Sequence, residues 1–106
     1  MLVTTTPIIE GEKIREYRGP VFAQVVTGFS WVKGFSAAFR SIVGGRSETH
    51  EDLVHRAREM ALQEIVNHAR HLGANAIVGF HVDFDVIGGD ANSLLLAKAS
   101  GTAVVI

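Results

Sequence analysis

Cysteine is absent from these 106 residues, which excludes a disulfide framework, a thiolate metal site and a thiol nucleophile. Proline occurs only twice, and no linker, low-complexity segment or internal repeat is visible. No sign of charge dominates. A formal net charge of −1 and a pI near 6.5 give no electrostatic reason to expect nucleic acid or an anionic membrane as partner. Long apolar runs are also missing, because glycine or charge interrupts each one before the roughly 20 residues of a membrane span. The opening Met1–Pro7 has neither the basic start nor the apolar stretch of a secretory signal, so a cytoplasmic location is the expectation.

The chain is nonetheless apolar: 47% of its residues are hydrophobic, 20% are charged, and the mean hydropathy is +0.24. Its length suits one domain, residues 1–106, and is too short for two. A monomer of this size buries only about 60–65% of the surface of its unfolded chain. So greasy a composition would leave apolar surface in water, and self-association is the first inference.

Local patterning orders the elements. Leu2 to Thr6 is β-prone and stops at Pro7, which reads as an edge strand. A turn at Glu10–Glu12 precedes a strand from Ile14 to Val26, where Gly19-Pro20 predicts a bulge or a sheet edge. Val32, Phe35, Phe39 and Ile42 recur at helical spacing within Trp31–Val43, and Gly44-Gly45 stops that helix. Ser47 or Thr49 caps a second helix, with Leu53, Ala57, Ala61, Ile65, Ala69 and Leu72 as its buried stripe and Gly73 as its end.

The last third reads as a hairpin. Pairing Val86 with Leu95 sets Phe84 against Ala97, Val82 against Ala99 and Phe80 against Gly101, each large residue facing a small one. The same register places Asp83 across from Lys98, and a one-residue slip would turn charge inward. The expected architecture is α+β: a two-layer α/β sandwich, with an antiparallel sheet carrying helices on one face.

Four segments carry a family likeness: Thr4-Thr5-Thr6, Ile42–Ser47, Leu72–Gly79 and Ser100–Val104. In this order and spacing the chain resembles the YbjQ-like family, which carries a heavy-metal-binding label. The resemblance implies a dodecin-like α/β subunit assembled into a pentameric ring, with no established enzymatic activity. It makes the chain itself the expected partner, in a homopentamer. A divalent transition metal is the cofactor it suggests.

Candidate ligands follow from spacing. His81, Asp83 and Asp85 share one strand face at period two, about 6.5–7 Å between successive Cα atoms. Imidazole with carboxylates suits zinc, nickel or manganese, provided a neighbouring strand or subunit closes the site. The plainer alternative is the solvated face of a half-buried sheet, with Asp83 paired to Lys98. Glu64, His68 and His71 recur at i, i+4, i+7 along the second helix, a set that either shares a metal or is an exposed flank. His50 and His55 read as helix surface. Gly44–Ser47 lies before a helix N-terminus, so it serves either an anion or simply a helix stop and cap. Trp31, Phe35 and Phe39 line either a flavin-like ligand pocket or the core. No catalytic motif stands out. The expected function is therefore a non-enzymatic, homo-oligomeric metal-binding protein, with a structural scaffold or a flavin-like binding ring as alternatives.

Overall fold

In a computed structural model, residues 1–28, 50–88 and 94–106 are described. The expected helix Trp31–Val43, the Gly44–Ser47 loop, both cap candidates, the Trp31/Phe35/Phe39 cluster and most of the hairpin turn lie outside them.

The described elements are β1 (Leu2–Val3), β2 (Glu16–Gly28), α1 (His50–His71), β3 (Ala76–Ile87) and β4 (Leu94–Val105). The strands form one sheet in the order β1-β3-β4-β2, with α1 on one face. The expected purely antiparallel sheet is corrected to a mixed one. β3–β4 and β2–β4 are antiparallel, but β1 runs parallel to β3 through Leu2↔Ala76 and Val3↔Ile77. That strand is also shorter than its β-prone stretch. After Val3 the Thr4 hydroxyl accepts the Thr6 backbone N–H at 3.0 Å and turns the chain, a local bond that competes with strand pairing.

Along α1, Leu53, Ala57, Ala61, Ile65 and Ala69 are buried at one residue in four, while Leu72 is half-buried. Alanine lets the helix axis approach the sheet closely, and its contacts there are Val21, Ala23 and Val25 of β2 and Ala97, Ala99 and Ala103 of β4. The helix ends in a Schellman motif: Ala74 N–H bonds Ala69 C=O at 3.0 Å and Gly73 N–H bonds Arg70 C=O at 2.9 Å.

β2 carries both features anticipated at Gly19-Pro20. A register shift falls between Tyr17 and Gly19, and among the described residues the strand is a sheet edge, where proline's missing donor costs no ladder bond.

The hairpin register holds from Ile87↔Leu94 to His81↔Ser100, including Val86↔Leu95, Phe84↔Ala97 and Val82↔Ala99. It then departs from expectation. His81↔Ser100 is followed by Val78↔Thr102, so Gly79 and Phe80 together oppose Gly101, and Phe80 does not face it alone. Gly79 sits at φ 64°, a left-handed conformation that glycine adopts without strain.

One extra residue in a period-two strand reverses its faces. Beyond the bulge Phe80, Val82 and Phe84 face α1. Before it Ile77 does so, while Ala76 and Val78 join Val104, Ile9, Ile14 and Ile106 in a second cluster on the opposite face.

Gly101 is needed for close approach: a Cβ there would lie 2.7 Å from the Ile77 Cγ2 methyl and 3.4 Å from the Val78 carbonyl. Gly101→Val should therefore destabilise the fold by about 1–3 kcal/mol, mainly through Ile77 and not Phe80. Thermal unfolding checks this; a domain of this size loses roughly 4–8 °C of Tm per kcal/mol.

Candidate functional site

β3 and β4 build a polar face on the side of the sheet away from α1. Because β3 alternates strictly beyond its bulge, His81, Asp83 and Asp85 project there together, and β4 adds Ser100 and Lys98 from the next row. The three β3 side chains do not converge. His81 Nε2 lies 3.0 Å from Asp83 Oδ1, whereas Asp85 Oδ2 lies 2.7 Å from Lys98 Nζ.

The expected Asp83–Lys98 ion pair is thus replaced by a diagonal one. Asp83 and Lys98 are direct cross-strand neighbours, as the register required. The histidine on Asp83's own strand claims its carboxylate, however, and the long lysine stem reaches the diagonal residue, which is within range of such side chains. Residue spacing cannot reveal which of two carboxylates a flexible ammonium selects.

This pairing has an electrostatic consequence. The hydrogen bond from Lys98 to Asp85 and the charge of that carboxylate raise the lysine's pKa above its ordinary 10.5, with a smaller contribution from Asp83, against a lowering by desolvation. A raised folded-state value favours the folded chain below the unfolded lysine's pKa. That contribution is lost as pH rises through the folded value.

The donor set fits a metal in part. Imidazole nitrogen and carboxylate oxygen each bind zinc at about 2.0–2.1 Å, so two tetrahedral ligands stand about 3.3 Å apart. The 3.0 Å separation of His81 Nε2 and Asp83 Oδ1 is close to that spacing. Both side chains are accessible, at 68% and 62% exposure. Two donors do not complete a site. Among the described residues no group of three or more histidine, aspartate or glutamate side chains is arranged to hold one ion.

On α1, Glu64, His68 and His71 are all exposed and also remain apart. His71 Nδ1 donates to the Asn67 carbonyl one turn earlier at 2.8 Å. His68 leans over the outer edge of β2, with Nδ1 3.4 Å from both the N and the O of Phe22. One tautomer accepts from that N–H and the other donates to that carbonyl. His55 accepts from Arg58 at 2.7 Å on the exposed helix surface, as its spacing suggested. The sequence offered no signal for the His68–Phe22 contact, which joins residues 46 apart.

A family described as putative heavy-metal-binding matches residues 1–106. The chain belongs to this YbjQ-like family. A UPF0145 protein of Clostridium botulinum is 49% identical over 104 residues, covering 98% of this chain and 97% of the relative. UPF0145 proteins of Listeria welshimeri and Pasteurella multocida are each 47% identical over 106 residues, covering 96% and 99% of those relatives. Among solved structures, a protein of unknown function from Pediococcus pentosaceus, assigned to the DUF74 family, superposes with a TM-score of 0.58. It covers 100% of this chain and 97% of its own at 16% identity, a likeness of fold. Among the described residues no helix is long and apolar enough to cross a membrane.

Asp85→Asn should lower the Lys98 pKa toward its ordinary value by removing its main partner. An NMR titration of the lysine side chain between pH 9 and 12 (roughly the range around the free value) measures the change. An unchanged midpoint would place the pairing elsewhere.

Proposed function

We propose that this chain is a non-enzymatic, homo-oligomeric binding protein of the cytoplasm, pentameric in solution, that takes a divalent transition-metal cation at His81 and Asp83. The observation that carries the reading is their 3.0 Å contact on an open sheet face. A cation replaces the proton shared between imidazole and carboxylate, so uptake releases protons and weakens as pH falls. Zinc, nickel and manganese suit this donor pair, and the chain has no thiolate for a softer ion.

Because one chain supplies two donors, the remaining positions fall to water or to a second copy, which links binding to assembly. Apolar surface supports self-association: Phe22, Tyr17 and Val86 are each more than 60% exposed. The pentamer itself is supported by the family resemblance. Asp85 joins the site only if Lys98 releases it. Glu64, His68 and His71 form a second candidate set, in which the bond from His71 Nδ1 to Asn67 leaves Nε2 as the ligand nitrogen. Nucleic acid and membrane have no place in the proposal.

Native mass spectrometry of untagged protein, purified without chelator and titrated with zinc, tests the reading. A pentamer with a stoichiometric zinc adduct is expected, and His81→Ala should lose the adduct while keeping the assembly. Unchanged zinc in that variant would move the site to the helix set. A wild-type pentamer without zinc would leave the structural-scaffold alternative.

A further inference from the structure

The sheet has two open edges, and their surroundings are complementary. On β3, the N-terminal segment covers only the first part of the edge: Thr4 and Thr6 carbonyls accept from Phe80 and Gly79 at 3.0 and 2.8 Å. From His81 to Ile87 no described strand lies beside it. On β2 the whole outer edge lacks a partner strand.

Backbone alternation fixes which groups are presented. His68 reaches the N and O of Phe22 from outside the sheet, so the groups of Phe22, Gln24 and Val26 point outward. Phe22 pairs with Ser100 and Ser100 with His81, so on β3 the outward groups belong to Val82, Phe84 and Val86.

Coverage by the helix is unequal. α1 packs over β2 and β4 and barely touches β3. Its ridge of Met60, Glu64 and His68 overhangs the β2 edge, where His68 meets Phe22. At the other end of the sheet Val82 and Phe84 remain half-buried on the helix-side face, and Val86 is 70% exposed. One end has helix beyond its last strand, and the other has apolar strand beyond its helix.

We infer that the β3 edge of one copy, residues 81–87, pairs in parallel with the β2 edge of the next copy, whose overhanging helix then covers Val82, Phe84 and Val86. This rests on the homo-oligomer reading above and specifies which surfaces meet. The occupant follows from side-chain parity. The outward residues of β3 point their side chains toward the helix layer, whereas those of β2 point theirs away from it. In a parallel ladder an outward residue faces an inward one with its side chain on the same face, so both helices stay on one side of the joined sheet. Antiparallel pairing of β3 with β2 would put the helices on opposite sides and leave the stripe bare.

Burial argues the same way. A stable interface covers roughly 800 Å² per partner, more than a short strand pairing alone supplies. The stripe under the neighbour's helix adds two β-branched side chains and a phenylalanine. Symmetric β3–β3 pairing leaves both stripes uncovered, and symmetric β2–β2 pairing brings the two overhanging ridges together. Joining different edges of successive copies is a head-to-tail interface, which closes into a ring.

Two edge variants test this at micromolar concentration by light scattering and native mass spectrometry. Val86→Lys places a charge in the stripe, and Gln24→Pro removes an outward N–H from β2 while sparing its ladder to β4. Circular dichroism checks folding, with Val26→Pro as the substitute should Gln24→Pro unfold. Each variant alone should fall from oligomer to monomer. Mixed together they should form a one-to-one heterodimer, since the first keeps a sound β2 edge and the second a sound β3 edge.

If only one variant dissociates, the interface is symmetric and the inference fails. Two variants of wild-type size also overturn it, leaving self-association intact through another surface. A monomeric wild type overturns the oligomer reading together with this one.

Discussion

The bulge at Gly79–Phe80 is the constraint on which the rest of the sheet depends. One added residue in β3 lets the strand serve two cores, Ile77 against the helix and Ala76 with Val78 against the N-terminal segment. The same reversal sends His81, Asp83 and Asp85 to the face away from the helix. Without it, the alternation of residues 80–86 carried back along the strand would put Ala76 and Val78 toward α1 and Ile77 toward water. Gly79 supplies the left-handed backbone, and Gly101 leaves room for the Ile77 methyl across the strand.

Small residues set the second constraint. Four alanines of α1 meet alanines of β2 and β4, so the helix sits close to the sheet and off its centre. Close packing there secures one half of the sheet and leaves the helix-side face of β3 short of cover. The proposed assembly is a consequence of that asymmetry: the domain is too narrow to bury both ends of its own sheet. This is the structural form of the excess apolar composition.

The polar face shows how side-chain length refines what strand register begins. Register places Asp83 beside Lys98, yet the four charged groups settle as a histidine–aspartate pair and a lysine–aspartate pair. The first is a pair of metal-type donors with room around it. The second ties up the remaining carboxylate and holds a positive charge at the margin of the site. Both pairs are exposed, so each contributes more to the chemistry offered at the surface than to stability.

The sequence by itself determined the long helix, its buried alanine stripe, its glycine stop and the hairpin register from residue 81 to 87. These rest on periodicity and neighbour size, which are local properties. It also carried the family likeness and the list of candidate ligands. The tertiary structure decided the parallel β1, because a two-residue strand has no periodicity from which direction can be read. It decided the bulge as well: Gly79 fits a regular strand and a bulge alike until Ile77 and Gly101 are brought together. Which carboxylate Lys98 takes, and that His68 stands over Phe22, depend on distances across the fold. No spacing along the chain encodes them.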